Sequence, residues 1–383
     1  MKFFVKKNLI ENKNVIIVID SLDGGGAEYQ ALMLAQGLTE RGVSNIIFTL
    51  RGNGELSKKA RDLNINIIEG NFKSRRNFKS VIKGFILLNK TIRSSKPAIV
   101  HTFLPLSNFL GSLAGSISGA SLIITSRRGH IKLNYLKKRW RIIDRLSNFF
   151  SHIITVNSQT IIDEMKATDA VDLKKVVCIP NGIDLNKFKV DKNLRKDVRK
   201  SLGLIESEFA WIKVANFSDI KGHADLINGF SRITHNCSKK LFLLGKDRGN
   251  LKFIQKLVSD LGLQDQVIFL GFKENISKIL NAMDGFISAS HTEGLSNAII
   301  EAMAMRLPII ATNVGGSPEI LENRKYGILI EPNNYQSICE SMTEIMENDQ
   351  LRANLSIACN GIAQKKYSKE SMVNSYIELY KSE

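Results

Sequence analysis

At 383 residues the chain is long enough for about two domains, each with a large core. Hydrophobic residues at 43% and charged residues at 24% are those of a soluble globular protein, which sets aside disordered and fibrous readings. The formal charge of +17 is lopsided: Met1–Val190 carries 30 Lys and Arg against 14 Asp and Glu, whereas the remainder carries 24 against 23. A basic first half and a neutral second half predict an anionic surface partner, nucleic acid or acidic lipid, for one domain only.

In chain order, Val15–Asp20 reads as a buried strand, its apolar run too short for the core of a signal peptide. It ends in S-L-D-G-G-G-A-E, and a helix follows from about Ala27 to Arg41 with Leu32, Leu34, Ala35 and Leu38 at helical spacing. The Gly24–Gly26 turn lets backbone amides approach a ligand, although a tight βα turn without a ligand stays open. It is not G-x-G-x-x-G, and no acid ends the next strand, Ile46–Leu50, so a NAD site is not expected. Strands at Ile65–Ile68, Ile99–His101 and Ile123–Thr125 alternate with helical stretches, the pattern of a parallel doubly wound sheet. Pro97–Ser126 lacks charge, but Pro105 and its Ser and Gly content favour strand–helix–strand over a membrane span. Lys73–Lys96 holds eight basic residues and no acid, and Arg127–Arg145 holds eight against Asp144 alone, with Tyr135, Trp140 and Ile142 interleaved. A solvated face would explain both runs, as would a patch resting on anionic headgroups. No helix-turn-helix, zinc finger or RNP signature favours nucleic acid.

Ile153–Val156 and Val176–Pro180 continue the alternation into the turn Asn181-Gly182, and the charged segment Lys189–Lys200 looks like a connection, with the domain boundary near 183–200. A second round follows. Strand Trp211–Ala215 leads into N-F-S-D-I-K-G-H and a helix from about Ala224. Lys240–Leu244, Val267–Leu270 and Gly285–Ser288 are strands, and Tyr367–Tyr380 is an amphipathic helix. The last of those strands opens S-H-T-E-G-L-S-N-A-I-I-E. Glu293 sits in a loop, a helix begins near Ser296, and Glu301 follows eight residues after Glu293. Two carboxylates at a helix N-terminus, where amides can hold an anion, suit a ligand with both hydroxyls and phosphates. Strand Pro308–Thr312 then enters a glycine turn at Gly315–Gly316. Two αβ halves with ligand loops at strand C-terminal ends predict a cleft between domains. The four cysteines (Cys178, Cys237, Cys339, Cys359) show no CxxC or zinc spacing and read as reduced thiols of a cytosolic protein.

The E-x7-E of Glu293 and Glu301 resembles that of the retaining glycosyltransferases of family 4, which have the GT-B fold. G-G-G-A-E, V-N-S-Q, I-P-N-G-I-D, K-G-H at Lys221–His223 and A-T-N-V-G-G-S-P-E-I fall in the family's order, so the resemblance spans essentially the whole chain. It implies an α/β protein of two Rossmann-like domains facing across a cleft. These are an acceptor-side domain over 1–182, a nucleotide-sugar domain over 183–366, and a C-terminal helix, 367–383, returning to the first. It implies transfer from a nucleotide-diphosphate sugar with retained configuration, no cofactor and no metal. Glu301 would bind the ribose, Glu293 the donor sugar, and the amides of Gly294, Leu295 and Ser296 the sugar and diphosphate. Lys221 would neutralise the leaving diphosphate, and Gly25 and Gly26 would contact it from the first domain. Where the family usually has an arginine five positions before the lysine, this chain has Asn216, which brings no charge. Arg127 or Arg128 is the expected substitute, Arg128 aligning with a frequent family histidine. His101, Arg127 and His130 are acceptor-side candidates, a structural role for each histidine being the plainer reading. The expected partners are the donor, a lipid-linked or glycan acceptor and an anionic inner-leaflet surface, without nucleic acid, in surface polysaccharide, lipopolysaccharide or glycolipid synthesis. Competing readings are a nucleotide-sugar epimerase on the same fold and a non-catalytic membrane or nucleic-acid adaptor using the basic face.

Overall fold

The computed structural model describes residues 13–52, 54–73, 77–96, 98–129, 138–168, 171–234 and 238–381. The chain divides into two compact units, Met1–Gly182 with Lys369–Glu383, and Ile183–Ser368. Each is a parallel sheet between helices.

In the first unit the strands are β1 (Asn14–Ile19), β2 (Asn45–Thr49), β3 (Asn66–Glu69), β4 (Ala98–Phe103), β5 (Leu122–Arg127), β6 (Ile153–Val156) and β7 (Val176–Cys178). Their order is β3-β2-β1-β4-β5-β6-β7, every pair parallel. Val15 to Ile19 are completely buried, as a strand covered on both faces must be. On one face α1 (Gly26–Thr39) and α2 (Glu55–Asp62) pack with α15 (Lys369–Lys381), which contributes Met372, Val373, Tyr376 and Tyr380 to the cluster around Val15, Ile17 and Ile19. Lys369 anchors α15 by a 2.8 Å ion pair to Glu40. On the other face α3 (Phe78–Ser94) and α4 (Pro105–Ser118) cover Ile16 and Val18. There α5 (Lys138–Phe150) lies beside α4, and α6 (Gln159–Thr168) covers β6.

The second unit repeats the plan with β8 (Phe209–Val214), β9 (Lys239–Leu244), β10 (Val267–Gly271), β11 (Gly285–Ser288), β12 (Ile309–Thr312) and β13 (Ile328–Ile330). Their order is β10-β9-β8-β11-β12-β13. Its helices are α7 (Lys192–Ser201), α8 (His223–Ser231), α9 (Leu251–Asp260), α10 (Ile276–Asn281), α11 (Asn297–Ala304), α12 (Ser317–Leu321), α13 (Tyr335–Glu347) and α14 (Asp349–Lys366). Ala210 and Ile212 face one core, Trp211 the other.

The segment expected as a connection, Lys189–Lys200, is instead mostly helix α7, capped by Asp191. Arg195 and Arg199 of α7 clasp Asp284 at 2.6 and 2.9 Å, and Arg199 also donates to the carbonyls of Ala282, Ile205 and Glu208. These arginine contacts dock the helix together with Val198 and the C-cap Leu202, which pack against the core. In both sheets the connections reverse direction beside one strand, between β1 and β4 and between β8 and β11, and loops at those strand ends are where a parallel sheet offers ligands a site.

Candidate active site

The second unit gathers its predicted residues at the reversal point. After β8 a turn of 3₁₀ helix, Asp219–Lys221, presents Lys221, and the loop after β11 presents Glu293. Lys221 Nζ lies 2.6 Å from Glu293 Oε1, and Ser290 Oγ donates to the same oxygen at 2.8 Å. Ser290 is in turn fixed through its carbonyl, which accepts from the Thr312 hydroxyl of β12. The two loops interlock. The amide of His291 donates to the Ile220 carbonyl, and His291 Nε2 lies 2.6 Å from Asp225 Oδ2.

Two glycines make this approach possible. Gly222, at φ +61°, lies so close that a Cβ would stand 1.7 Å from the Ala289 carbonyl oxygen. Gly315, at φ +56°, would bring one to 1.9 Å from the Glu293 carbonyl oxygen, and the neighbouring Gly316 amide donates to the Gly294 carbonyl. The second glycine turn thus buttresses the loop that carries the acid.

Ser296 is the N-cap of α11 and closes no side-chain bond onto the helix. Gly294 and Leu295 precede it, so the positive end of the helix faces the Glu293 loop. Glu301, one turn further in, stands between buried Ile300 and Ala302 and is itself only partly exposed. Among the described residues its carboxyl has no hydrogen-bond or ionic partner, and burial pushes it up to about 8. Asn216 does not reach for a ligand: its Oδ1 accepts the Lys246 amide at 3.0 Å, stapling the loop after β8 to that after β9.

In the first unit, Gly24 adopts φ +86° after β1, Gly25 is the N-cap of α1 and Gly26 its first residue. Beside α1 lies a recess of about 230 Å³ lined by Ala27, Leu104, Ser126, Arg127, Arg128 and Asp144 among others. Leu104, which precedes α4, holds φ +76°, a conformation that costs a branched side chain energy and marks this rim as constrained. Arg127 donates to Asn148 at 3.1 Å. Arg128 donates to Asn181 at 2.7 Å and to the Tyr376 hydroxyl of α15 at 2.6 Å, with its guanidinium 5.0 Å from the Phe103 ring centre. As placed, it is a strut holding α15. His101 is fully buried, its Nδ1 2.7 Å from the Tyr380 hydroxyl and its Nε2 2.8 Å from Ser126 Oγ. Burial first and the Arg128 charge second hold its pKa well below the usual histidine range. His130 lies outside the described residues.

Sequence reasoning did not single out Ser290, the His291–Asp225 pair, or Lys213, which is buried beneath the Lys221 turn. For Lys213 a signal was there: one lysine inside the apolar run F-A-W-I-K-V.

Comparison with known proteins joins these observations. Residues 24–187 match the family described as Glycosyltransferase Family 4, and residues 195–359 match Glycosyl transferases group 1. An N-acetyl-alpha-D-glucosaminyl L-malate synthase of Bacillus anthracis is 28% identical over 60% of this chain and 59% of its own length. A UDP-Gal:alpha-D-GlcNAc-diphosphoundecaprenol alpha-1,3-galactosyltransferase of Escherichia coli is 26% identical over 70% of this chain and 72% of its own. The crystal structure of Anabaena HepE in complex with UDP superposes with a TM-score of 0.87 at 19% identity, over 97% of this chain and 100% of that one, a likeness of fold. That fold is GT-B, and the chain belongs to the family 4 glycosyltransferases.

Proposed function

We propose that the protein transfers a sugar from a nucleotide-diphosphate sugar, with retained configuration and without a metal. We place the transfer on the cytoplasmic side of a membrane, in the synthesis of a surface polysaccharide, lipopolysaccharide or other glycolipid. One observation carries this reading: the Lys221–Glu293 ion pair at the loop leading into α11, the helix whose Glu301 is partnerless and desolvated. A donor diphosphate satisfies all three groups. It takes Lys221 from Glu293, and as the sugar leaves, Lys221 and the amides of Gly294, Leu295 and Ser296 meet the charge growing on the nucleoside diphosphate. Glu293, released, accepts hydroxyls of the sugar, and Glu301 those of the ribose.

The test is turnover with a panel of UDP-, GDP- and ADP-sugars, in the presence of a chelator. Lys221→Met is expected to lower kcat by about 10²–10³, the usual cost of one stabiliser of developing charge. A wild-type protein that turns over no donor in the panel refutes the assignment.

The two relatives named above act on unlike acceptors, malate and a diphosphoundecaprenol-linked sugar, so the acceptor class rests on the surface. Seven of the eight exposed large apolar side chains described in the first unit lie on one helical layer: Ile82, Ile86 and Leu87 on α3, Ile117 on α4, and Ile142, Leu146 and Phe149 on α5. Lys79, Lys83, Lys90 and Arg93 are exposed along α3, and Arg141 and Arg145 along α5. Apolar tips among cations fit a bilayer with acidic headgroups, each basic residue adding about 1 kcal/mol near such a surface. This supports a lipid-linked acceptor. Sedimentation with phosphatidylglycerol vesicles should carry the protein down at low salt and less at high salt, with phosphatidylcholine vesicles leaving it in solution. Equal binding to both compositions argues against it. Among the described residues no helix is long and apolar enough to cross a membrane.

A further inference from the structure

Lys213 sits inside β8 with 1% of its surface exposed, and its Nζ meets no hydrogen-bond partner. By strand alternation it shares a face with Trp211, in the cluster that also holds Phe217, Leu226 and Leu243. The first residue of α8, His223, closes the same cluster. It too is 1% exposed, both its ring nitrogens lack a partner, and it stacks on Phe217 at 4.7 Å. Two basic side chains therefore lie unpaired in an apolar layer directly behind the turn that carries Asn216 and Lys221. That is an expensive arrangement, since an unpaired ammonium is among the costliest groups to bury.

The charges that Lys213 feels come from three elements. Burial is the first influence and Lys221, on the turn, the second; both lower its affinity for a proton, while Glu293 on the β11 loop and Asp225 on α8 raise it. The balance leaves the amine near about 7, so it is largely neutral a little above neutral pH. His223 is driven to about 2, by burial and then by Lys213, and stays neutral; the Ala215 backbone acts the other way but falls short of hydrogen-bond geometry. His291 is engaged with Asp225, and Glu301 on α11 is the other titrating group of the site.

We propose that Lys213 is the second cation of the donor site, a positioning residue that takes up a proton when a nucleoside diphosphate binds. It thereby supplies, from behind the Lys221 turn, the charge that Asn216 does not bring. The inference rests on the donor-site reading above. When a diphosphate pairs with Lys221, the repulsion that adds to burial in keeping Lys213 neutral is cancelled and further negative charge arrives. The lone pair of the Lys213 amine then forms an N–H bond with one proton, given up either by solvent buffer or by the Glu301 carboxyl, whose O–H bond breaks to leave the carboxylate. Lys213 acts through the field it adds beneath Lys221, not by touching the ligand. This makes a lysine, which can be stored uncharged, more suitable than an arginine, which cannot.

The experiment is calorimetric titration of the full chain with UDP, GDP and ADP in two buffers of different ionisation enthalpy, near pH 8, for wild type and Lys213→Met. Proton release from Glu301 is common to both proteins and cancels in their difference. Wild type is expected to take up about half a proton more per nucleotide than the variant. The ratio of wild-type to variant affinity should fall about three- to tenfold as pH rises from near 7 to near 9, the Glu301 contribution cancelling in that ratio. Equal proton numbers in the two proteins, even with weaker binding by the variant, would make Lys213 a structural residue only and overturn the proposal. If wild type binds none of the three nucleotides, the donor-site reading itself fails and this inference with it.

Discussion

Replacing Glu301 by glutamine tests whether the fold holds this acid in its protonated form. Its carboxyl is raised from 4.5 to about 8 by burial alone. At 1.36 kcal/mol per unit, a displacement of that size corresponds to about 5 kcal/mol at most, and water reaching a partly exposed group lowers the realised value to roughly 2–4 kcal/mol. The sign follows from proton counts. Between the two pKa values the native state keeps a proton that the unfolded chain has lost, so stability falls as pH rises through that window. The deficit is absent below the ordinary carboxyl pKa and complete above about 8. Glutamine imitates the neutral acid at every pH. Glu301→Gln should therefore match wild type in urea unfolding near pH 4.5 and exceed it increasingly up to pH 8. It should also lose about tenfold or more in nucleotide affinity, because a neutral amide accepts ribose hydroxyl bonds less well than a carboxylate. Stability curves of wild type and variant that run parallel across this pH range would refute the reasoning.

Lys213→Met should show the opposite pH signature. Native Lys213 gives up its proton near 7 while the unfolded lysine keeps it to 10.5, so the deficit is complete below 7 and gone above 10.5. The variant should gain up to about 4 kcal/mol near pH 6 and almost nothing near pH 10, read by thermal melting of the second unit. Arg199→Ala strips Asp284 of one partner and leaves the carbonyls of Ala282, Ile205 and Glu208 without their donor. A loss of about 3–5 kcal/mol is expected by urea unfolding of the second unit. Tyr376→Phe removes the acceptor of Arg128 on α15 and should cost the first unit about 1–3 kcal/mol in the same assay.

Apolar runs bounded by glycine made the alternation of strands and helices legible along the chain, because strands buried on both faces need little else. Where the pattern departed from that logic, reading stopped. Helix α7 passed for a connection because it docks through Arg195 and Arg199 onto Asp284, some ninety residues away, and local periodicity carries no trace of that anchor. The three residues of β13 are too few to show an alternation. At the site, spacing was enough to single out Glu293 and Glu301, and the family resemblance singled out Lys221. Neither reading could show that Lys221 is closed onto Glu293, or that Glu301 stands without a partner. Arg128 read as a free cation because its acceptor, Tyr376, lies 248 residues further on. The plainer reading of His101 was structural, but its partner Tyr380 lies too far along the chain to be read from the sequence.

The site is closed upon itself. Glu293 occupies the cation that a phosphate needs, Ser290 steadies that pairing, and the second acid and second base are both buried in forms that avoid charge. A ligand without phosphate offers Lys221 nothing in exchange for Glu293, so a free sugar has no means of opening the pair. A diphosphate alone opens it but leaves Glu293 and Glu301 without hydroxyls to hold. On the proposed reading, a ligand carrying both chemistries satisfies every group by redistributing these pairings: Lys221 to phosphate, Glu293 to sugar, Glu301 to ribose. On the same reading, stability withheld from the fold at Lys213 and Glu301 is returned as affinity for that ligand. Stabilising substitutions at these two positions should therefore weaken donor binding.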